Sequence, residues 1–172
     1  MIDSRVDTYR HIQTVQQILG KAIADLQQRS LVHDQSKLVS PEVEIFDEMT
    51  PKLAASTYGS EEYKSFLSQM KPALDHHYAA NDHHPEHFHG STCVQCLSPE
   101  QQPCTCGGSR NDLSGVRGMS LPALLEMLCD WLAATKRHNN GDIRKSIEIN
   151  QKRFGYSDEL KQILLNTLEV IE

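Results

Sequence analysis

The stretch SLPALLEMLCDWLAATKRH, residues 120–138, decides the fold class. It opens at Ser120 as a strong helical run, and apolar residues surround one carboxylate, Asp130, on almost every side. A carboxylate there is costly to bury unless a cation or several donors compensate it. Glu126 stands four residues earlier, on the same helical face.

Helical signals continue in both directions. Downstream, one helix is predicted from Asp142 to about Phe154, and another from Ser157, its cap, to Ile171. Upstream, Asp3 to about Gln28 reads as one helix. Val15, Ile18, Leu19, Ala22, Ile23 and Leu26 recur at helical spacing, and His11 falls on the same inward face. Leu31 to Ser40 holds the tight stretch LVHDQSKLVS. Ser40 is then expected to cap a helix with Pro41 at its first position, running through Val43, Ile45, Phe46 and Met49. Ser60 with Glu61 and Glu62 opens a further helix that turns Tyr63, Phe66, Met70 and Leu74 inward. That helix runs into DHHYAANDHHPEHFH, residues 75–89, and Pro85 should end it near His83. Residues 87–118 are rich in Gly, Ser, Pro and Cys, lack periodicity and read as an inserted loop. No strand and no internal repeat is convincing. The reading is an all-α protein of about six helices.

Bulk composition narrows the class. At 172 residues and 38% hydrophobic, residues 1–172 can form a single domain with a real core. Mean hydropathy is −0.49 and no apolar run approaches membrane-spanning length. The start, MIDSRVDTYRH, lacks the features of a signal peptide, so a cytoplasmic location is expected. A net charge of −6 argues against broad binding to nucleic acid, as does the lack of interleaved aromatic residues. Five cysteines in a reducing compartment point to metal or free thiols before disulfides.

Four of those cysteines, Cys93, Cys96, Cys104 and Cys106, form C-x2-C-x7-C-x-C inside the loop. Four thiolates at close pairwise spacings suit one tetrahedral structural zinc, with His87 or His89 able to replace a cysteine. The alternative is an unmetallated loop with incidental thiols.

Metal-type ligands recur on apolar faces elsewhere. His11 lies on the first helix. His33 and Asp34 follow Leu31 and Val32, with Lys37 one turn beyond His33. Residues 75–89 hold six of the nine histidines, among them His76, His77, His83 and His84. Histidine is the commonest protein metal ligand. His76 and His77 point roughly 100° apart on a helix, so only one should face a common site. Each feature has a bland reading: His11 as a hydrogen-bonded core residue, Asp130 as the partner of Lys37 or Arg137, the later histidines as a solvated loop. Taken together, they ask one domain to bury many polar groups without a function.

The order His11, His33-Asp34, histidine cluster, Asp130, all on helices, resembles the HD-domain metal-dependent phosphohydrolase superfamily. HDQSK is similar to the HD-x-x-K of its HD-GYP branch, although the GYP residues themselves are absent. HDQSK, HHYAANDHHPEHF and EMLCDWLAA more closely resemble an uncharacterised HD-related family of bacterial and phage proteins, from about residue 9 to 137. The resemblance implies an HD-like helical bundle, interrupted by the cysteine loop. It implies one metal on His11, His33, Asp34 and Asp130. A second would be bridged by Asp34 and held by His77 with one or both of His83 and His84. Lys37 would stabilise the nucleophile or bind phosphate, Glu126 would act as base or orient a ligating histidine, and Arg137 would bind substrate at the rim. Mixed His and carboxylate ligands suit Mn, Fe, Co or Ni, with Zn also accommodated.

The function expected from this set is metal-dependent hydrolysis of a small phosphorylated substrate, a nucleotide first among them. The alternatives are an HD-type di-iron oxygenase and a catalytically silent nucleotide-binding module. Substrate identity, native metal and oligomeric state, a homo-oligomer included, stay open.

Overall fold

A computed structural model describes residues 4–56, 60–88, 91–93, 110–112, 114–137 and 141–172. The chain divides into two compact units, Met1–His33 and Asp34–Glu172. The first is one helix, α1 (Arg5–Val32), which ends four residues beyond the expected Gln28. The expected inward face is exposed: Val15, Ile18, Leu19 and Ile23 all face solvent, and no residue of α1 is buried. A lone helix has no second element within its own unit against which a stripe can be buried.

The second unit is mainly helical among its described residues. It contains α2 (Val43–Ala55), α3 (Glu61–Gln69), α4 (Lys71–Ala80), α5 (Leu121–Thr135), α6 (Ile143–Phe154) and α7 (Asp158–Ile171). Its central packing comes from α5, α6 and α7. Leu128 and Leu132 meet Ile143 and Ile147, and Leu164 and Leu168 close the cluster. Trp131 stacks on Phe154 at its edge, with rings 6.3 Å apart and 6° from parallel. The starts of these helices follow the sequence closely. Ser120, Asp142 and Ser157 each accept backbone N–H groups of the first turn, as N-caps do. Gly155 ends α6 at φ +65°, a left-handed position where glycine carries no Cβ penalty.

Three local expectations are corrected. Ser40 does not cap α2: the N–H groups of Glu42 and Val43 both bond Val39 C=O, and that turn occupies Ser40–Glu42. The single helix expected from Ser60 is two, which adds a helix to the expected six. Met70 donates its N–H to Phe66 C=O at the end of α3 and accepts from Leu74 N–H at the start of α4. Pro72 has no N–H with which to carry the ladder across. Finally, α4 stops at Ala80, earlier than Pro85 required, because the Asn81 side chain bonds His77 C=O at 2.8 Å and turns the chain.

The inserted loop begins and ends in register. Ser91–Cys93 (β1) pairs antiparallel with Arg110–Asp112 (β2), and Gly115 N–H bonds Phe88 C=O at 2.9 Å. This short pair is strand the sequence did not signal. Cys96, Cys104, Cys106 and His89 lie outside the described residues; Cys93 is placed by its backbone in β1, so the zinc expectation falls outside what is described.

Tyr156, buried in the α5–α7 core, donates its hydroxyl to Ile147 C=O at 2.5 Å, and burial pushes its pKa up to about 12. A phenol kept neutral by burial contributes stability that is complete below about pH 10 and lost as pH rises through 12. Tyr156→Phe is expected to cost about 1 kcal/mol at pH 8. It should also flatten the loss of stability above pH 10, both read from urea denaturation.

Candidate metal centre

Asp34 opens the second unit in the left-handed region, at φ 56° and ψ 14°, which aspartate tolerates better than most residues. This bend feeds a 3-10 turn, Gln35–Leu38, closed by Lys37 N–H on Asp34 C=O at 2.9 Å. The turn brings the Lys37 ammonium back onto Asp34 Oδ2 at 2.5 Å, with the ring of Phe46 5.3 Å from Nζ on its other side. The bland pairing of Lys37 with Asp130 is therefore replaced by a pairing with Asp34.

Helix α4 buries Ala73 and, one turn later, His77. Of the adjacent pair His76 and His77, His77 is the inward one, 1% exposed against 46% for the His76 side chain. Past Asn81, the turn at 82–84 swings His83 and His84 back over the end of α4. Pro85 then starts a 3-10 turn to His87, whose Nδ1 bonds Tyr78 C=O at 2.9 Å. This pins the later part of the histidine stretch. His87 is a fastener here and stands outside the group of four donor residues.

These elements bring one ligand atom each of Asp34, His77, His83 and His84 within 4.8 Å of one another. His77 Nε2 lies 3.3 Å and His83 Nε2 3.4 Å from Asp34 Oδ1, and His84 Nε2 lies 2.9 Å from His77 Nε2. Asp34 Oδ1 and His83 Nε2 are buried and meet at ion-pair distance without hydrogen-bond geometry. Burial alone would push the Asp34 carboxyl up. The imidazoles of His77 and His83 and the Lys37 ammonium outweigh that and hold it well below the usual carboxylate range. The His84 imidazole is also driven down, to about 2, by burial first and then by His83 and His77. It is neutral at every ordinary pH.

Two carboxylates behind the cluster set which ring nitrogens face inward. Glu42, wholly buried just before α2, lies 2.9 Å from His77 Nδ1 and 2.7 Å from His76 Nδ1 and accepts the Ser36 hydroxyl at 3.1 Å. A carboxylate only accepts, so His77 Nδ1 donates to Glu42, and its Nε2 is the nitrogen turned toward the cluster. Asn81 spends its amide on His77 C=O and on Ser36 Oγ at 2.9 Å. Burying a carboxylate costs several kcal/mol. Three charge-assisted hydrogen bonds, at about 1.5–3 kcal/mol each, are enough to offset it. Glu126 on α5 plays the matching part for His83, its Oε1 3.2 Å from Nδ1.

Three imidazole nitrogens and a carboxylate oxygen, with two of the rings backed by carboxylates, are a donor set that suits a divalent transition metal. The sequence pointed to all four, and to Lys37 and Glu126. Asp130 is half-buried on α5, with a carboxylate oxygen within 4.8 Å of one from Asp34. His11 and His33 belong to the other unit: His11 is exposed on α1, and His33 follows its last residue. Arg137 is exposed beyond the end of α5. Glu42, Ser36 and Asn81 were missed. Glu42 looks like any acid at a helix start, and its partners lie 34 and 35 residues away.

A family model matches residues 2–170. The chain belongs to the DUF5662 family, a family of unknown function. No curated protein and no solved structure matches it. Nearly the whole of this DUF5662 chain lies inside the family match, so the histidine cluster, the Glu42 turn and α5 all do too. No helix among the described residues is long and apolar enough to cross a membrane.

His77→Ala in this DUF5662 protein is expected to lower bound Mn, Fe, Co or Ni at least tenfold in elemental mass spectrometry of the purified chain. His87→Ala should leave it unchanged. Equal metal content in the two variants would contradict the assignment.

Proposed function

We propose that this chain is an HD-type metal-dependent phosphohydrolase acting on a small phosphorylated molecule, with a nucleotide as the substrate class. The observation that carries the reading is the convergence of Asp34, His77, His83 and His84, with a lysine ammonium on the same Asp34 carboxylate. A divalent cation held there supplies Lewis acidity, lowering the pKa of water and neutralising charge on phosphoryl oxygens.

The chain's own residues divide the remaining work. Asp34 turns Oδ1 to the imidazoles and Oδ2 to Lys37, so one carboxylate serves both the donor cluster and the lysine. Lys37, steadied over Phe46, places a positive charge beside the site for a phosphate oxygen. Glu126 holds His83 through Nδ1, a distance that suits orienting the ring better than acting as base. Neutral His84 contributes a lone pair without adding charge.

Phosphate release from nucleotides and simple phosphomonoesters, with Mn2+ or Co2+ supplied, tests the reading. Asp34→Ala is expected to lower the rate about 10³-fold or more and Lys37→Ala about 10²-fold. An Asp34→Ala protein as active as wild type, or no release with any substrate and metal, would contradict it. The histidine-rich donor set also suits iron, which favours oxygen activation as a second reading. Retained iron with oxygen uptake and no phosphate release would put that reading first.

A further inference from the structure

Glu42 is wholly buried, yet neither it nor His76 has a part in the chemistry above. Its Oε1 takes His76 Nδ1 at 2.7 Å and its Oε2 takes His77 Nδ1 at 2.9 Å, with the Ser36 hydroxyl on Oε2 at 3.1 Å. Consecutive residues of α4 point about 100° apart. They can share one carboxylate only because it is wedged between them, with one oxygen for each. His77 is inside, at the donor cluster. His76 is outside, its side chain 46% exposed. A buried carboxylate is thus clamped by two rings, one of which reaches solvent.

We propose that Glu42 is a positioning residue that fixes the tautomer and ring angle of His77 for a metal ion, and that His76 is the outer anchor keeping Glu42 in that pose. The inference rests on the metal reading of the cluster and adds to it where the site's affinity is set. Asn81 and Ser36 complete the frame from the other side, through Asn81 Nδ2 on Ser36 Oγ at 2.9 Å. Of the pair His76-His77, one member is a ligand and its neighbour acts two bonds removed, through the carboxylate. Glutamine at position 42 keeps the volume but offers a single acceptor oxygen, so it can serve only one ring.

Mn2+ alone is the probe, because it favours carboxylate and imidazole over the thiolates of the cysteine loop. Free ion is followed by electron paramagnetic resonance during titration of the full chain, and circular dichroism checks that each variant is folded. Glu42→Gln is expected to weaken Mn2+ binding about 10–100-fold, and His76→Ala to weaken it less. In a His77→Ala background, Glu42→Gln should change the affinity by less than about twofold, since Glu42 acts through that ring. Unaltered affinity in Glu42→Gln would overturn the inference while leaving the metal site standing. So would an equal loss with and without His77, which would assign Glu42 to the fold alone. A wild-type chain that takes up no Mn2+ would overturn the metal reading and this inference together.

Discussion

Asp34 keeps its carboxylate among three imidazoles and one ammonium, and most of the second unit's local structure answers to that crowding. Moving a carboxylate out of water costs several kcal/mol, and the imidazoles of His77 and His83 with the Lys37 ammonium offset it. Lys37 supplies one positive charge on Oδ2. On Oδ1, His77 Nε2 and His83 Nε2 stand 3.3 and 3.4 Å away. On the metal reading proposed above, a divalent cation would be the occupant that satisfies all four atoms at once.

The backbone devices around the cluster make sense as ways of delivering these atoms. The left-handed turn at Asp34 reverses the chain so that Lys37 folds onto the carboxylate that precedes it. The break at Pro72 gives α4 a direction independent of α3 and lets Ala73 and His77 share the buried face. Asn81 stops α4 one turn after His77, and Pro85 starts the next turn, leaving three residues to carry His83 and His84 back. Each device is local. Their product, four donor atoms in one small volume, is not.

That distinction explains what could be read from the sequence. The caps at Ser60, Ser120, Asp142 and Ser157 are first-turn signals of side chain to backbone, and the helices begin where those residues stand. His77, His83, His84 and Asp34 were named through the resemblance of HDQSK and HHYAANDHHPEHF to an HD-related family, and the fold brings one ligand atom of each together. The choice between His76 and His77 could not be made from spacing, since it depends on which side of α4 faces the turn at Gln35–Leu38. Glu42 was invisible for the same reason: its role depends on residues more than thirty positions away. The outward face of α1 was misread because an apolar stripe predicts that something covers it, without saying what.

X-ray absorption at the manganese edge of the Mn2+-loaded full chain tests the account most directly, because the signal comes from the ion's neighbours alone and ignores any zinc on the cysteine loop. Backscattering from imidazole rings together with light oxygen ligands, the imidazole component shrinking in His77→Ala, is the result the donor geometry predicts. A shell of oxygens without imidazole scattering, unaffected by His77→Ala, would contradict it and leave the histidines as structural partners of Asp34 and Glu42.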